Sequence, residues 1–376
     1  MIDISGLSKK YGVCAERGRG GDFPAFLSAV KGLGVLVLAD RNTEKFAAPI
    51  VRAMQGNGTV CKVYVYPEFE PVADEKSVNT AKELAEGFDY ILAVGSGTLN
   101  DIAKYAGMLA GKPSGVYATA PSMDGFTSGV AALIVDGKKV TYPAQVAKHI
   151  LMDCEVLASA PSIMLGAGVG DILAKYCCLT DWRISAELTG EEYNAESAKL
   201  MYEAVNACDA SIPDLIAGSP KGAEKLMNAL LVSGYAMVIA GNSRPASGAE
   251  HHMSHFLEMD FLRRGERIPL HGVKVGLGTM VSLYLYHTIL KRATFAGSEF
   301  VAAEAEKLPK CEYVEDVLRS LGCPTRFSEL GVSEATVREM FKKAYLIRDR
   351  FTILSLYCTY GLMTENVVDE LIARFY

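Results

Sequence analysis

The stretch Tyr90-Ile91-Leu92-Ala93-Val94-Gly95-Ser96-Gly97-Thr98-Leu99-Asn100-Asp101 decides the fold. Five apolar residues with no polar alternation are the pattern of a strand buried on both faces. The glycines end that strand, and a helix opens at about Asn100. Similar runs lie on either side. Residues 35–39 before Asp40, 63–66 and 115–119 read as strands, rich in β-branched and aromatic side chains. Residues 46–54 and 78–86 read as helices. Strands alternating with helices predict a parallel sheet covered on both faces. Residues 131–135 and 139–143, joined at Asp136-Gly137, predict a hairpin.

From about Pro161 the pattern changes. Helical periodicity dominates over roughly 168–185, 195–210, 222–241, 245–262, 272–291, 334–348 and 364–375. The chain's 376 residues exceed one ordinary core, since domains of about 100–200 residues are usual. The expected division is an α/β domain with a parallel sheet at 1–158 and an all-α domain at 159–376.

Half of the residues are hydrophobic and 22% are charged, as in a folded protein. The net charge of −6 gives no reason to expect nucleic acid or an anionic membrane as partner. The N-terminus shows no apolar run after a basic start, so no signal peptide is expected. Residues 229–240 are apolar but include Ser and Gly, and are expected to be too short to span a bilayer. Nine cysteines without a Cys-x-x-Cys pair read as free thiols, which fits a reducing cytoplasm.

The glycine turn carries chemistry as well as topology. Glycines at Gly95 and Gly97 allow close backbone approach, and the free N–H groups of a helix start attract an anion. Ser96 and Thr98 add hydroxyl donors. The third glycine of the dinucleotide fingerprint is missing, so by spacing alone this is either a phosphate cradle or a plain strand-to-helix turn. Asp40 ends a strand, where a carboxylate can bond an adenosine ribose; a cap or loop role is the alternative.

Four of the six histidines, His251, His252, His255 and His271, fall between positions 251 and 271. His251 and His255 share one helix face, whereas His252 points away from it. His271 stands at the expected start of the next helix. Asp171 follows the glycine run Gly166-Ala167-Gly168-Val169-Gly170. Nitrogen and oxygen donors of this kind suit zinc, nickel or iron. The sequence Glu250-His251-His252-Met253-Ser254-His255 is not the His-Glu-x-x-His of a zinc protease.

Taken together, the chain resembles the iron-containing alcohol dehydrogenase and dehydroquinate synthase superfamily. Within it, the chain is most similar to the sn-glycerol-1-phosphate dehydrogenase family. The resemblance is carried by Ala93–Tyr105, Thr119–Ser128 with its Thr-Ala-Pro-Ser-Met-Asp-Gly start, Gly168–Asp171, Ser243–His255 and His271-Gly272. It implies a dehydroquinate synthase-like fold and reversible, NAD- or NADP-linked reduction of dihydroxyacetone phosphate to sn-glycerol 1-phosphate. It also implies one divalent metal, zinc or nickel before iron, held by Asp171, His251 and His271. Substrate contacts implied are Asp124, Asp171 and His255. Dinucleotide contacts implied are Asp40, Gly95, Ser96, Gly97, Thr98, Leu99, Thr119, Ala120, Pro121, Ser122 and Ser128.

In this reading the metal polarises a carbonyl while the nicotinamide delivers hydride. Asp124 orients the substrate, and His255, with an unperturbed pKa near about 6.5, relays a proton. Lys274, Arg244, Ser122 and Ser247 are candidates for the phosphate, and Lys104 for the nicotinamide ribose. The expected assembly is a homo-oligomer, a dimer or larger. The alternatives are a glycerol or polyol dehydrogenase of the same superfamily, a dehydroquinate synthase-like lyase, and a silent nucleotide-binding protein.

Overall fold

The computed structural model describes residues 4–376. The chain divides into two compact units, one of residues 1–161 with 213–235 and one of residues 162–212 with 236–376.

The first unit is built on a six-stranded sheet: β1 (Cys14–Arg17), β2 (Gly34–Ala39), β3 (Val60–Val65), β4 (Tyr90–Gly95), β5 (Ser114–Ala118) and β8 (His149–Met152). Their order is β1-β8-β5-β4-β2-β3, and every pairing is parallel. The continuous apolar runs serve both faces at once. Leu36, Leu38, Ile91, Ala93, Val116 and Ala118 pack on one side, with Val78, Ala81, Ile102 and Ala106. Val35, Val37, Leu92, Val94 and Tyr117 pack on the other, with Phe26, Ile50 and Met54. The expected hairpin is present as β6 (Val130–Val135) and β7 (Lys138–Pro143), joined through Asp136 in a left-handed conformation.

Two strands escape the sequence pattern. β1 and β8 have four residues each, and β1 carries Glu16 and Arg17. The segment 213–235 also belongs with the sheet and not with the helical unit that flanks it in sequence. The reason is packing: Ala223, Met227, Leu231 and Tyr235 are buried in the same cluster as Leu36 and Val116.

The second unit is helical. Its longest element, Ser162–Thr189, has 28 residues and takes in the whole glycine run, six residues earlier than the expected start at 168. Ala249–Arg264 and His271–Thr288 follow. The apolar stretch at 229–240 lies in a 21-residue helix, Pro220–Ala240, close to the expected 222–241. This helix and Ser162–Thr189 have the length and apolarity to cross a bilayer, yet 83% of the most apolar window of Ser162–Thr189 and 61% of that of Pro220–Ala240 is buried inside the protein. All nine cysteines are free.

Candidate metal centre and dinucleotide turn

In the first unit, β4 runs through Ser96 into the helix Gly97–Ala110. The glycines are required by packing. A Cβ on Gly95 would stand 2.5 Å from Leu99 Cδ1, and one on Gly97 would stand 2.9 Å from Met123 Cε. Ser96 makes no side-chain cap, which leaves the first N–H groups of the helix suited to an anion. Thr98 is exposed and Leu99 buried. Thr119, just past β5, donates its N–H to the Gly95 carbonyl at 3.0 Å, so the 119–122 segment lies beside the turn. Thr119, Ala120, Pro121 and Ser122 are all buried.

Lys104 has a different surrounding from the one expected of it. Its side chain is wholly buried. The ammonium donates to the carbonyls of Gly125 at 3.0 Å and Val130 at 2.5 Å, and pairs with Asp101 at 3.1 Å. It pins the loop that carries Asp124 and Ser128. Ser128 Oγ donates to the Gly125 carbonyl at 2.9 Å, and Asp124 Oδ2 accepts from Ser233 Oγ at 2.7 Å. Asp40 acts as a turn residue: its Oδ1 accepts from the N–H groups of Asn42 and Thr43 at 2.8 and 2.9 Å.

In the second unit, three helices converge on the other cluster. Asp171 comes from Ser162–Thr189, His251 from Ala249–Arg264, and His271 is the first residue of His271–Thr288. One ligand atom from each lies within 4.8 Å of the other two. His251 Nε2 and Asp171 Oδ1 are 3.7 Å apart, near the roughly 3.4 Å edge of a tetrahedron whose bonds are about 2.1 Å. Asp171 and Lys175 are both fully buried, and the ammonium donates to Asp171 Oδ1 at 2.8 Å and to the Ala246 carbonyl at 3.0 Å.

Each histidine is oriented by a buried glutamate. Glu250 holds His251 Nδ1 at 2.8 Å. Glu258 holds His255 Nδ1 at 2.9 Å with one oxygen and His271 Nδ1 at 3.4 Å with the other. Carboxylates on Nδ1 fix the ring orientation and leave Nε2 for a metal, the arrangement usual at histidine–metal sites. The donor set therefore fits a divalent first-row ion.

The environment of His255 settles its tautomer. Arg348 can only donate, and its Nη2 lies 3.1 Å from His255 Nε2. That nitrogen must accept, so the proton sits on Nδ1 and is donated to Glu258. Burial, the largest cause, pulls the His255 pKa down to about 4, so the ring is neutral at neutral pH and does not titrate near 6.5 as its free side chain would.

Two of the cations expected for a phosphate are occupied within the unit. Arg244 pairs with Glu191 through Nε at 2.7 Å. Lys274 is wholly buried, 3.4 Å from Glu258, and donates to the Pro269 carbonyl. Lys175, Glu250, Glu258, Arg348 and Arg350 were not singled out from sequence. Lys175 lies one helical turn from Asp171 and Glu258 three residues from His255, so helix spacing carries that signal. Nothing in the spacing points to Arg348 or Arg350, which follow His271 by more than seventy residues.

Comparison with known proteins places this architecture in a class. The iron-containing alcohol dehydrogenase family profile matches residues 15–161. A solved structure titled as a probable glycerol dehydrogenase from Sinorhizobium meliloti superposes with TM-score 0.69 at 19% identity, covering 96% of each chain. That likeness concerns the fold. A protein named glycerol-1-phosphate dehydrogenase (NAD(P)+) from Bacillus subtilis is 35% identical over 332 residues, covering 86% of this chain and 84% of the relative. One of the same name from Thermococcus kodakarensis is 32% identical over 281 residues, covering 74% and 72%. The chain belongs to the glycerol-1-phosphate dehydrogenase family.

Proposed function

We propose that the chain is a metal-dependent, NAD(P)-linked dehydrogenase that interconverts dihydroxyacetone phosphate and sn-glycerol 1-phosphate. The observation that carries this reading is the convergence of Asp171, His251 and His271, with Nδ1 of His251 on Glu250 and Nδ1 of His271 on Glu258. The names of the relatives supply the substrate and the dinucleotide.

Asp171, His251 and His271 would hold the ion; two histidines and one carboxylate accept zinc, nickel or iron, and zinc or nickel is the ion proposed. When bound, the ion supplies Lewis acidity for the substrate oxygen, and the dinucleotide supplies or accepts hydride. The Gly95–Leu99 turn, the Thr119–Ser122 segment and Ser128 would seat the dinucleotide, with Asp40 on its adenosine side. A carboxylate at Asp40 disfavours a 2′-phosphate, so NAD is the preferred form, with NADP tolerated through the neighbouring Arg41. Asp124 would orient the substrate hydroxyl. In the oxidation direction, the neutral His255 ring would accept the alcohol proton at Nε2 once Arg348 releases that nitrogen. Glu258 at Nδ1 stabilises the charge that then appears on the ring, and reduction runs the transfer backwards. The protein would act as a homo-oligomer in the cytoplasm.

The test is to strip the metal, restore zinc or nickel, and follow NADH absorbance with dihydroxyacetone phosphate and with dihydroxyacetone. Metal-dependent oxidation that favours the phosphorylated ketone supports the reading. Preference for the unphosphorylated ketone would move the chain to a polyol dehydrogenase, and no oxidation of NADH with either would favour a lyase.

A further inference from the structure

We propose that Arg348 and Arg350, with His252 and Ser247 beside them, form the subsite for the phosphate group of the substrate. This rests on the reading of a phosphorylated substrate above and extends it to residues that no relative's name assigns.

The first observation is a pair of buried arginines without a direct carboxylate partner. Arg350 feels the charges of Arg348 and Arg244, and Glu258 and Glu191 act on Arg348 and Arg350 only from beyond ion-pair distance. Arg244 is paired with Glu191. No carboxylate among the described residues lies within ion-pair distance of Arg348 or Arg350. Arg350 bonds neutral groups, the Ser247 carbonyl at 3.2 Å and Ser243 Oγ at 2.7 Å. Arg348 bonds the neutral ring of His255. Burial, then the charges of Arg348 and Arg244, lower the Arg350 pKa to about 10, which still leaves it charged at neutral pH. Two such cations match the charge of a phosphate monoester, about −1.5 to −2.

The second observation is a set of buried polar atoms that have no partner. His252 is fully buried, and neither ring nitrogen makes a hydrogen bond. Ser247 Oγ and Arg244 Nη1 are likewise buried and unpartnered. Folded proteins rarely leave such groups bare, and each one calls for an explanation such as an absent ligand. These atoms belong to one neighbourhood. The charges acting most strongly on His252 are those of Arg350 and then Arg348, and Arg350 already bonds Ser247.

The third observation is position. Arg348 is one hydrogen bond from His255, whose ring centroid is 6.1 Å from that of His271. A guanidinium has five N–H donors. Arg348 spends one on His255 and Arg350 two on Ser247 and Ser243, which leaves donors on both for the oxygens of one phosphate, in the fork geometry that favours arginine at such sites.

The experiment compares the metal-loaded wild type with Arg348→Gln, Arg350→Gln and Arg350→Lys. KM for dihydroxyacetone phosphate should rise at least tenfold in both Gln variants, and Arg350→Lys should recover part of the loss. The ratio of kcat/KM for the phosphorylated ketone to that for dihydroxyacetone should fall by at least tenfold. Inorganic phosphate, titrated alone, should raise the Tm of the wild type and have a much smaller effect on either Gln variant. An unchanged KM together with an undiminished phosphate shift would overturn the proposal. So would an equal loss with both ketones, or a rise confined to the KM for NADH or NADPH, which would give these arginines to the dinucleotide. If Arg350→Gln does not fold, Arg348→Gln and Arg350→Lys decide. If the wild type ignores the phosphorylated ketone while the phosphate shift is present and lost in the variants, the subsite stands and the dehydrogenase reading falls.

Discussion

A Cβ on Gly170 would stand 2.5 Å from the carbonyl oxygen of Gly272. Each glycine adjoins a proposed metal ligand, Asp171 and His271, so the helix contact that needs these glycines also brings the ligands together. The contact tolerates no added carbon: on Gly272 a Cβ would fall 1.8 Å from the Ala167 carbonyl oxygen. Because the clash is with backbone, no side-chain rotation relieves it, and overpacking of this kind costs about 1–3 kcal/mol or more. Gly170→Ala and Gly272→Ala should both lower the Tm, Gly272→Ala more, and both should bind metal less tightly. Unchanged Tm and metal content in Gly272→Ala would mean that the helices can separate without disturbing the cluster.

Glu258 bridges two histidines through its two oxygens, at 2.9 Å to His255 and 3.4 Å to His271. Gln keeps the shape but offers one acceptor and one donor, so it cannot accept from both rings. Loss of such supporting contacts typically lowers metal affinity about 10–100-fold. Titration of apo protein with zinc should show that loss in Glu258→Gln, with kcat at saturating metal also reduced because His255 is no longer held in its Nδ1–H form. Wild-type affinity in the variant would show that Glu258 does not position these rings.

Lys104 is a fixed point of the first unit. Removing its ammonium leaves Asp101 and the Gly125 and Val130 carbonyls to find other partners. Asp101 is partly exposed and keeps the Ala132 N–H, so the loss falls below the roughly 3–5 kcal/mol of a fully buried pair broken from one side. Lys104→Met should still unfold at lower urea concentration. Because the loop it holds carries Asp124 and Ser128, NADH should also bind more weakly to the folded variant. Equal stability and equal NADH affinity would return Lys104 to the role of a passive core residue.

The sheet was largely legible because β2, β4 and β5 are buried on both faces and read as unbroken apolar runs. β1 and β8 were not, because four residues cannot display a period and β1 includes charged side chains. The hairpin was visible through Asp136-Gly137, which needs a left-handed residue. Asp171, His251 and His271 were visible as residue types, but eighty residues separate the first two; the contact at Gly170 and Gly272 joins Asp171 to His271, and the close approach of Gly278 to the Glu250 backbone brings in His251. Glycine opposes helix formation locally, so Gly166 and Gly168 pointed to a boundary near 168; close packing overrides that preference and the helix begins at Ser162. Arg348 and Arg350 carry no spacing signal, since their relation to His255 exists only in the folded unit.

Asp181 is fully buried and accepts three hydrogen bonds, from Tyr286 Oη, from Ala249 N at 2.8 Å and from Ile353 N at 2.7 Å. It thereby caps the start of the helix that carries His251 and His255. Burial outweighs these bonds and pushes its pKa up to about 6, above the unfolded value of about 3.9. Between those values the folded state binds more protons than the unfolded state. The contribution of Asp181 is therefore fully present below pH about 4 and is lost as pH rises to about 6. Asp181→Asn cannot ionise, and its amide nitrogen faces either the Ala249 N–H or the Tyr286 and Ile353 donors, which leaves at least one donor bare at about 1–3 kcal/mol. Urea unfolding of both proteins across this range should show the wild type more stable at pH 4, with its advantage shrinking toward pH 6. Glu250 is raised to about 8 by burial and then by the charge of Asp181; the variant removes only the second cause and keeps the larger one. A difference that stays constant from pH 4 to pH 6 would show that Asp181 does not titrate in this window.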